Sequence, residues 1–326
     1  MIGQLSQHIQ TLLALKLNSM SKKKHLIIIA GPTAVGKTDL TVRLAQHYHT
    51  EIISCDSRQC FKELEIGTAK PTGDEMQGVP HHFIDCFPLE KLFSAGKFET
   101  AAIDLLENDL FRKYDVVLMS GGSGLYADAI ISGMNGFPEV PISVRQNLYE
   151  VYHQQGLPPL LAELEVCDPE YFKSVDHNNP QRIVRALEVI RVSGKPFSQF
   201  RTNQSIMRGF EIILIGLNRD RHELYDRINR RMDLMIEQGL FEEAKRLIRH
   251  RHHNALKTVG YKEIFAYFDD EYDREEAIRL LKRNSRRYAK RQLTWFQRYE
   301  NMKWFHPNEE RKIRQFIDKK IRQNNE

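Results

Sequence analysis

Residues 26–38 read Leu-Ile-Ile-Ile-Ala-Gly-Pro-Thr-Ala-Val-Gly-Lys-Thr, an apolar run followed directly by the pattern G-x-x-x-x-G-K-T. After this stretch, apolar residues recur at helical spacing as Leu40, Leu44, Ala45 and Tyr48. A strand, a glycine-containing loop and a helix in this order predict a P-loop rather than an ordinary turn. The glycines allow backbone N–H groups to surround a diphosphate-sized anion, and the helix N-terminus adds partial positive charge.

The loop residues have distinct predicted roles. Lys37 is expected to contact the outer phosphates, and the Thr38 hydroxyl is expected to bind Mg²⁺ as the cofactor. The predicted diphosphate-binding residues of the loop are Gly31, Pro32, Thr33, Ala34, Val35, Gly36, Lys37 and Thr38. The motif therefore indicates a phosphorylated ligand, and it does not say which one.

Length and composition allow one large domain or two smaller ones, because 326 residues with 41% hydrophobic side chains can form a sizeable core. The apolar runs are too short to span a bilayer, so we expect a soluble chain with no membrane partner. The four cysteines, Cys55, Cys60, Cys86 and Cys167, show no paired spacing, so we expect reduced thiols in a cytoplasmic protein. The histidines of His250-Arg-His-His253 are expected to close a helix at its C-terminus rather than to bind zinc.

Positive charge is concentrated late in the chain. The whole sequence has a formal net charge of +5, whereas between Arg274 and Tyr299 nine Lys or Arg side chains stand against two Glu, a local charge of +7. The remainder of the chain is therefore slightly acidic, and the basic segment indicates contact with nucleic-acid phosphates. For Trp295 and Phe296 within this segment, packing in the core is the favoured interpretation.

The order of apolar runs and helical patterns predicts an α/β fold, with a P-loop NTPase-like parallel sheet and helices on both faces. Strands are predicted at residues 26–30, 51–54, 115–119 and 211–217. Between about Gly136 and Gly209 the strand patterns disappear, and prolines separate short helical segments. The predicted organisation is a leading segment 1–21 outside the core, a first part of the α/β core at 22–135, a helical insertion at 136–210, and a return strand with C-terminal helices at 211–326.

Polar residues follow the ends of the predicted strands, where α/β enzymes place their catalytic groups. Asp56 comes directly after the second strand and is a candidate general base, with a helix N-cap as the alternative role. A conventional P-loop nucleotidase ends a neighbouring strand with an Asp that holds Mg²⁺, but here that strand ends in Met119-Ser120. The P-loop therefore occurs without the usual nucleotidase residues.

Seven motifs together are similar to those of the bacterial tRNA dimethylallyltransferase family, in the same order and over about residues 25–304. They are Gly31–Thr38, Asp56–Gln59, Ile66–Pro71, Gly121–Tyr126, Asn179–Glu188, Val259–Lys262 and Lys290–Phe296. The resemblance implies transfer of a dimethylallyl group from dimethylallyl diphosphate to N6 of the adenosine directly 3′ of the anticodon, in tRNAs that read codons beginning with U. It also implies that the helical insertion holds the anticodon stem-loop, and we expect a monomer.

The resemblance also implies roles for individual residues. Asp56 is the implied general base, and Lys37, Thr33 and Ser123 are the other expected catalytic residues. Arg221 is a candidate second clamp on the diphosphate, with Arg219 and Arg227 as alternatives. The implied tRNA-binding residues are Asp56, Ser57, Arg58, Gln59, Ser123, Arg145, Gln181, Arg182, Ile183, Val184, Arg185, Lys257, Gly260, Tyr261, Lys262, Lys290, Arg291, Gln292 and Trp295.

Two other functions are compatible with parts of the sequence. A small-molecule kinase would use the P-loop for ATP, and would need an arginine-rich lid and a nucleoside pocket. A non-catalytic RNA-binding protein would retain the loop without using it. The run Asp269-Asp270-Glu271-Tyr272-Asp273 matches the D-D-x-x-D signature of chain-elongating prenyl synthases, but it occurs once and is expected to be a solvated turn before a helix.

Overall fold

The computed structural model describes residues 23–134, 137–201 and 206–325. The predicted leading segment, residues 1–21, lies outside the described residues. The chain divides into two compact units. The first contains the described residues up to 131 together with those from 207 onward, and the second contains those between 132 and 206.

The first unit is built on a six-stranded sheet of order β3-β2-β4-β1-β5-β6, in which every pairing is parallel. The strands are β1 (His25–Ala30), β2 (Ile52–Ser54), β3 (His81–His82), β4 (Val116–Gly121), β5 (Glu211–Leu217) and β6 (Lys303–Phe305). β1 is central, with Ile28 opposite Met119 on one side and opposite Leu214 on the other. All six residues of β1 are buried, as expected of a parallel strand covered on both faces.

The four predicted strands and the parallel α/β class are confirmed. The two outer strands, β3 and β6, were not predicted, because two or three residues give too short a pattern to recognise. β3 is held at the sheet edge by backbone pairing with β2, and His82 Nε2 lies 2.6 Å from Glu51 Oε2. β6 pairs with the end of β5, where Leu217 is opposite Phe305.

The first unit contains ten α-helices among its described residues. They are α1 (Lys37–Tyr48), α2 (Gly73–Met76), α3 (Ala95–Leu105), α4 (Phe111–Lys113) and α5 (Gly124–Ile131), and, numbered after those of the second unit, α10 (Arg221–Glu237), α11 (Leu240–Leu247), α12 (Tyr261–Phe268), α13 (Arg274–Phe296) and α14 (Glu310–Asn325). A π-helical segment, Leu106–Leu110, joins α3 to α4. Helix α1 starts at Lys37, because the preceding Gly36 has a backbone φ of 103°, which residues other than glycine rarely adopt.

The second unit is helical, with α6 (Ile142–Gln155), α7 (Pro158–Cys167), α8 (Pro169–Ser174) and α9 (Pro180–Ser193). Its prolines mark helix starts, where the missing N–H is harmless. Asp168 and Asn179 cap the two later helices, since their side chains accept hydrogen bonds from the backbone N–H groups of Tyr171 and Arg182. The apolar faces of these helices pack into one core that includes Leu148, Leu160, Leu164, Ile183 and Leu187.

The acidic run before α13 forms the expected solvated turn. Asp273 caps α13 by accepting a hydrogen bond from the Glu276 N–H, and Asp269 pairs with Arg251. Helix α13 starts at Arg274, as predicted. Among the described residues, no helix is both long and apolar enough to cross a bilayer.

Candidate active site

A cavity of about 800 Å³ lies in the first unit, against the P-loop and the carboxyl ends of β2 and β4. This is the position at which parallel sheets of this kind bind ligands, and the volume suits a small organic molecule. Helices α10 and α13 complete its walls. The lining residues used below are Thr33, Lys37, Thr38, Asp39, Asp56, Arg58, Gln59, Gly122, Arg227, Ile228, Arg231, Met232, Met235, Leu240, Val259, Gly260, Ser285, Tyr288 and Gln292.

Lys37 is folded back onto its own loop. Its Nζ donates hydrogen bonds to the carbonyl oxygens of Gly31, at 3.0 Å, and Pro32, at 2.8 Å. Burial and the positive charge of Arg231 lower the pKa of Lys37 to about 8, and the nearby Asp56 opposes this shift. The Lys37 ammonium group lies within a loop that is sized for an anion. A negatively charged ligand bound there would stabilise the protonated form of Lys37.

Arginines from α10 and from the segment between β5 and α10 lie close to the same loop. Arg219 Nε donates to the Val35 carbonyl at 2.8 Å, and Arg227 Nε donates to the Ala34 carbonyl at 2.8 Å. Arg227 also lines the cavity, and so does Arg231, which burial places in a less hydrated environment that lowers its pKa. Arg227 and Arg231 therefore line the cavity beside the P-loop, where guanidinium groups are suited to bind phosphate oxygens.

Arg221, the predicted second clamp, is not among the residues that line the cavity. It is exposed, and its guanidinium lies 5.2 Å from the centre of the Tyr225 ring. Arg221 is the first residue of α10, so it lies about two helical turns before Arg227 and about three turns before Arg231. Arg221 is therefore outside the cavity, and its predicted contact with a diphosphate stays a prediction. The later α10 residues Arg227, Arg230 and Arg231 line the cavity.

Asp56 follows the end of β2 and uses one carboxylate oxygen to hold its own turn. Oδ1 accepts hydrogen bonds from the backbone N–H groups of Arg58, at 2.8 Å, and Gln59, at 3.3 Å. The residue lines the cavity and is close enough to Lys37 and Arg231 to influence their pKa values. The capping role and the proposed base role are therefore compatible, since a carboxylate has a second oxygen available.

Apolar side chains line another part of the cavity. Ile228, Met232 and Met235 come from α10, and Leu240 and Val259 follow it along the chain. Residues 227 and 235 are separated by about 12 Å along the helix axis, so the cationic and apolar groups of α10 face successive parts of one cavity. Such a cavity suits a ligand with an anionic head and a short hydrocarbon tail.

Tyr288 adds a neutral phenol to this wall. Burial, together with the negative charge of Asp56, raises the pKa of Tyr288 to about 12, so the hydroxyl keeps its proton at neutral pH. Ser285, Tyr288 and Gln292 line the cavity from one face of α13, at helical spacings of three and four. Neither Tyr288 nor Arg231 was singled out from the sequence, although helical spacing to Gln292 and Arg227 was a usable signal.

Gln292 is buried and joins two loops of the site. Its Oε1 accepts a hydrogen bond from the backbone N–H of Thr33 at 2.9 Å, and its Nε2 donates to the Gly122 carbonyl at 2.9 Å. A Cβ atom on Gly122 would lie 2.2 Å from Gln292 Nε2, which explains a glycine at this position. The Gln292 carboxamide thus joins the P-loop to the end of β4, and the predicted contact of Gln292 with tRNA stays a prediction.

Ser123 and Trp295 also have packing roles. Ser123 is outside the cavity lining, and its backbone bonds to Cys55 at the end of β2 and to the first turn of α5. Trp295 packs against Gly124 and donates its Nε1 hydrogen to Asp128 at 3.1 Å, with Arg298 over its ring. Phe296 is fully buried, as expected, whereas Trp295 is half-buried. The predicted catalytic role of Ser123 and the predicted tRNA contact of Trp295 stay predictions.

Among the predicted residues around the start of α12, Tyr261 is fully buried, and its hydroxyl donates to Glu243 at 2.7 Å. Glu243 also accepts hydrogen bonds from the N–H groups of residues 65–67 and so anchors the loop at Gly67. The Tyr261 hydroxyl therefore bonds to the residue that anchors this loop, and the predicted contact of Tyr261 with tRNA stays a prediction. Gly260 lines the cavity, and Lys257 and Lys262 are exposed.

In the second unit, two of the predicted residues are part of the core. Ile183 and Val184 are buried, so their side chains pack in the core of this unit, and their predicted contact with tRNA stays a prediction. Gln181 and Arg182 are exposed on the same helix. Arg145 forms an ion pair with buried Glu188, and Arg185 pairs with the same carboxylate at 3.1 Å. Both guanidinium groups remain partly exposed.

The remaining predicted residues are on accessible surface of the first unit. Arg58 and Gln59 line the cavity beside Asp56, and Gln59 Nε2 donates to the carbonyls of Thr68 and Ala69. Ser57 is half-buried. Lys290 and Arg291 are exposed on α13. The structure therefore brings Asp56, Arg58, Gln59, Lys37 and Thr33 together at one cavity.

Thr38 fits the role of an Mg²⁺ ligand. Its hydroxyl lines the cavity next to Lys37 and has no hydrogen-bond partner within the described part of the chain. Asp39 beside it is paired with Arg43 at 2.5 Å. A single protein hydroxyl matches the way Mg²⁺ is held when most of its ligands are water and phosphate oxygens.

Comparisons with known proteins agree on one family. The family model described as IPP transferase matches residues 59–299. A tRNA dimethylallyltransferase of Cytophaga hutchinsonii is 51% identical over 300 residues, which are 92% of this chain and 98% of the relative. A tRNA dimethylallyltransferase 1 of Bacteroides fragilis is 48% identical over 299 residues, which are 92% of this chain and 99% of the relative.

Solved structures give the same result. A full-length tRNA isopentenylpyrophosphate transferase of Bacillus halodurans is similar with a TM-score of 0.69 and 39% identity, covering 92% of this chain and 98% of that chain. A eukaryotic dimethylallyltransferase, described as acting on tRNA, is similar with a TM-score of 0.69 and 26% identity, covering 83% of this chain and 69% of that chain.

Proposed function

The chain belongs to the IPP transferase family, and from this premise we infer that it is a prenyl-type alkyl transferase that moves a dimethylallyl group onto tRNA. The observation that supports this most directly is the mixed cavity. One part is lined by the P-loop, Lys37, Arg227 and Arg231, and another by apolar side chains of α10 and of the residues after it. Dimethylallyl diphosphate, our proposed donor, combines the matching anion and hydrocarbon in one small molecule.

The proposed reaction breaks the allylic C–O bond, and its electron pair leaves with the diphosphate. Lys37, Arg231 and the P-loop N–H groups stabilise the charge that develops there, and a preorganised contact of this kind is worth about 3 kcal/mol. The N6 amine of an adenosine forms the new N–C bond. Asp56 accepts the proton that N6 loses, because it is the carboxylate at the cavity that lies near both Lys37 and Tyr288.

We propose Mg²⁺ as the cofactor, held by the Thr38 hydroxyl. When bound, this ion would add positive charge beside the leaving diphosphate. The protein residues carry the other roles: the loop N–H groups orient the phosphates, and Lys37 supplies a fixed cation.

The proposed acceptor is the adenosine directly 3′ of the anticodon in tRNAs that read codons beginning with U. A stacked base has to leave the anticodon loop to reach Asp56, so we propose that it is flipped into the cavity. Arg58 and Gln59 are placed to contact the flipped base, and exposed Lys290 and Arg291 are placed to contact phosphates. We further propose that the second unit binds the anticodon stem-loop, and that the protein acts as a cytoplasmic monomer.

Transfer of label tests this proposal. Labelled dimethylallyl diphosphate and Mg²⁺ are incubated with an unmodified tRNA transcript that has adenosine after the anticodon. A matched transcript in which this adenosine is replaced by guanosine is the control. Incorporation into the first transcript alone is the expected result. Absence of transfer, together with RNA-independent hydrolysis of ATP, would instead indicate a small-molecule kinase.

The value of kcat/KM for dimethylallyl diphosphate is expected to fall at alkaline pH. Because the pKa of Lys37 is lowered to about 8, its positive charge is present below this pH and is lost above it. The value of kcat/KM for the donor reports free-enzyme pKa values, so it should fall by up to about tenfold per pH unit above pH 8. Lys37→Arg keeps the charge and should remove this inflection. An unchanged kcat/KM from pH 7 to pH 9.5 in the wild type would contradict the assignment.

A further inference from the structure

Glu90, His250 and His253 form a compact group in the first unit, and none of the three lines the 800 Å³ cavity. Their potential ligand atoms all lie within 4.8 Å of one another, and His250 Nδ1 is 3.8 Å from Glu90 Oε1. We propose that these three side chains bind a divalent transition-metal ion of the zinc class, which differs from the helix-closing role expected of the histidines from the sequence alone. The site is independent of the proposed transferase activity.

The two histidines are presented by a tight turn. The residues Ile248–His250 form a 3₁₀ turn after α11, and the N–H of His253 donates to the His250 carbonyl at 2.9 Å. In such a turn, side chains three residues apart lie over one another, which places both imidazoles on one side. Their ring centres are 5.8 Å apart, with 27° between the ring planes.

The third residue comes from a distant part of the sequence that shares the same core. Leu89, next to Glu90, is buried in one hydrophobic cluster with Leu247, Ala255 and Leu256, which flank the two histidines. The backbones on both sides of the group are therefore anchored in the same packed cluster. A ligand set on anchored segments loses less conformational entropy when it binds an ion. The H-x-x-H spacing of His250 and His253 is visible in the sequence, but the proximity of Glu90 to them is visible only in the fold.

The donor set and the distances suit zinc. Zinc bonds of about 2.0–2.2 Å to nitrogen and oxygen place tetrahedral ligand atoms about 3.4 Å apart. The separations found here need only small side-chain rotations to reach that value. Two imidazoles and one carboxylate form a catalytic-type zinc set that leaves the fourth position to water, and imidazole favours zinc over magnesium. A simple Glu90–His250 ion pair is the competing explanation, and it gives His253 no role.

Zinc titration of the full, untagged chain tests the site after treatment with a chelator and its removal. We expect one equivalent of Zn²⁺ to bind, and Co²⁺ to give the visible absorption of a tetrahedral nitrogen–oxygen complex. His253→Ala should weaken Zn²⁺ binding by at least about tenfold, because even the loss of an outer partner of a ligand costs that much. Glu90→Gln should weaken it in the same direction.

His252→Ala is the matched control, because His252 is adjacent to His253 but outside the three-residue group. It should leave the affinity for Zn²⁺ unchanged. Thermal unfolding of each variant without metal shows whether the fold is intact, and the wild type should unfold at a higher temperature with Zn²⁺. Equal zinc affinity of wild type and folded His253→Ala, or no saturable binding by the wild type, would overturn the proposal.

Discussion

Asp56→Asn is expected to lower the rate of dimethylallyl transfer about 10²- to 10⁴-fold, which is the usual contribution of a positioned general base. Asparagine has nearly the same shape, and its side-chain oxygen can still accept the hydrogen bonds that Asp56 Oδ1 accepts from Arg58 and Gln59. The turn after β2 should therefore persist, while the group that accepts the N6 proton is removed. Affinity for tRNA should stay within a factor of about two, because contacts to many phosphates dominate RNA binding.

Single-turnover transfer and equilibrium tRNA binding are the two measurements, made on the same preparation. Asp39→Asn is the matched control, since Asp39 is another carboxylate at the cavity but is paired with Arg43. It should change the transfer rate by less than about threefold, as for a mostly exposed ion pair. Full activity of Asp56→Asn would assign the proton to another acceptor. Loss of tRNA binding in that variant would show that Asp56 acts in recognition rather than in catalysis.

The sheet was predictable because its strands carry strong local patterns. The five successive apolar residues Leu26–Ala30 are typical of a central strand that is buried on both faces. The P-loop that follows determines the start of α1 at Lys37. Edge strands β3 and β6 have no such pattern, because their position depends on pairing with β2 and β5. Local sequence reports burial and turn chemistry, whereas the edge of a sheet is decided by partners far away along the chain.

The site was predictable only as far as its residues act locally. The P-loop and Asp56 belong to short motifs with an evident chemical role, and the structure brings them to one cavity. Gln292 is different, because it bonds to Thr33, a residue 259 positions earlier. Within a basic, aromatic segment, the sequence could not separate a side chain that faces RNA from one that packs. The packing role of Gln292 is evident only in the fold, where Gly122 leaves space for the Gln292 carboxamide.

The same difficulty applies to the arginines. Three of them, Arg219, Arg221 and Arg227, were candidates for the diphosphate clamp, and the sequence alone does not rank them. Arg219 is held by the Val35 carbonyl and by Glu223, and Arg221 stacks on Tyr225. The position of Arg231 results from the direction of α10 past the P-loop, which is a property of the packed fold.

Arg231→Met is expected to lower kcat/KM for the donor about 10²- to 10³-fold, as when one preorganised contact to a developing negative charge is removed. Methionine keeps an unbranched apolar side chain of similar length, so the wall of α10 next to Met232 should stay filled. Arg221→Met is the control on the same helix. It should leave kcat/KM within about twofold, because Arg221 is exposed and is not part of the cavity wall.

The variant also has a second, independent signature. Arg231 is one of the groups that lower the pKa of Lys37, after burial itself. Without its positive charge the protonated form of Lys37 is less disfavoured, so the pKa should rise and the alkaline fall of kcat/KM should move above pH 8. Arg221→Met should keep the inflection at its original pH. A loss of activity in Arg231→Met with no movement of the pH profile would separate the phosphate contact from the electrostatic coupling to Lys37, and equal losses in both variants would contradict the assignment of the clamp.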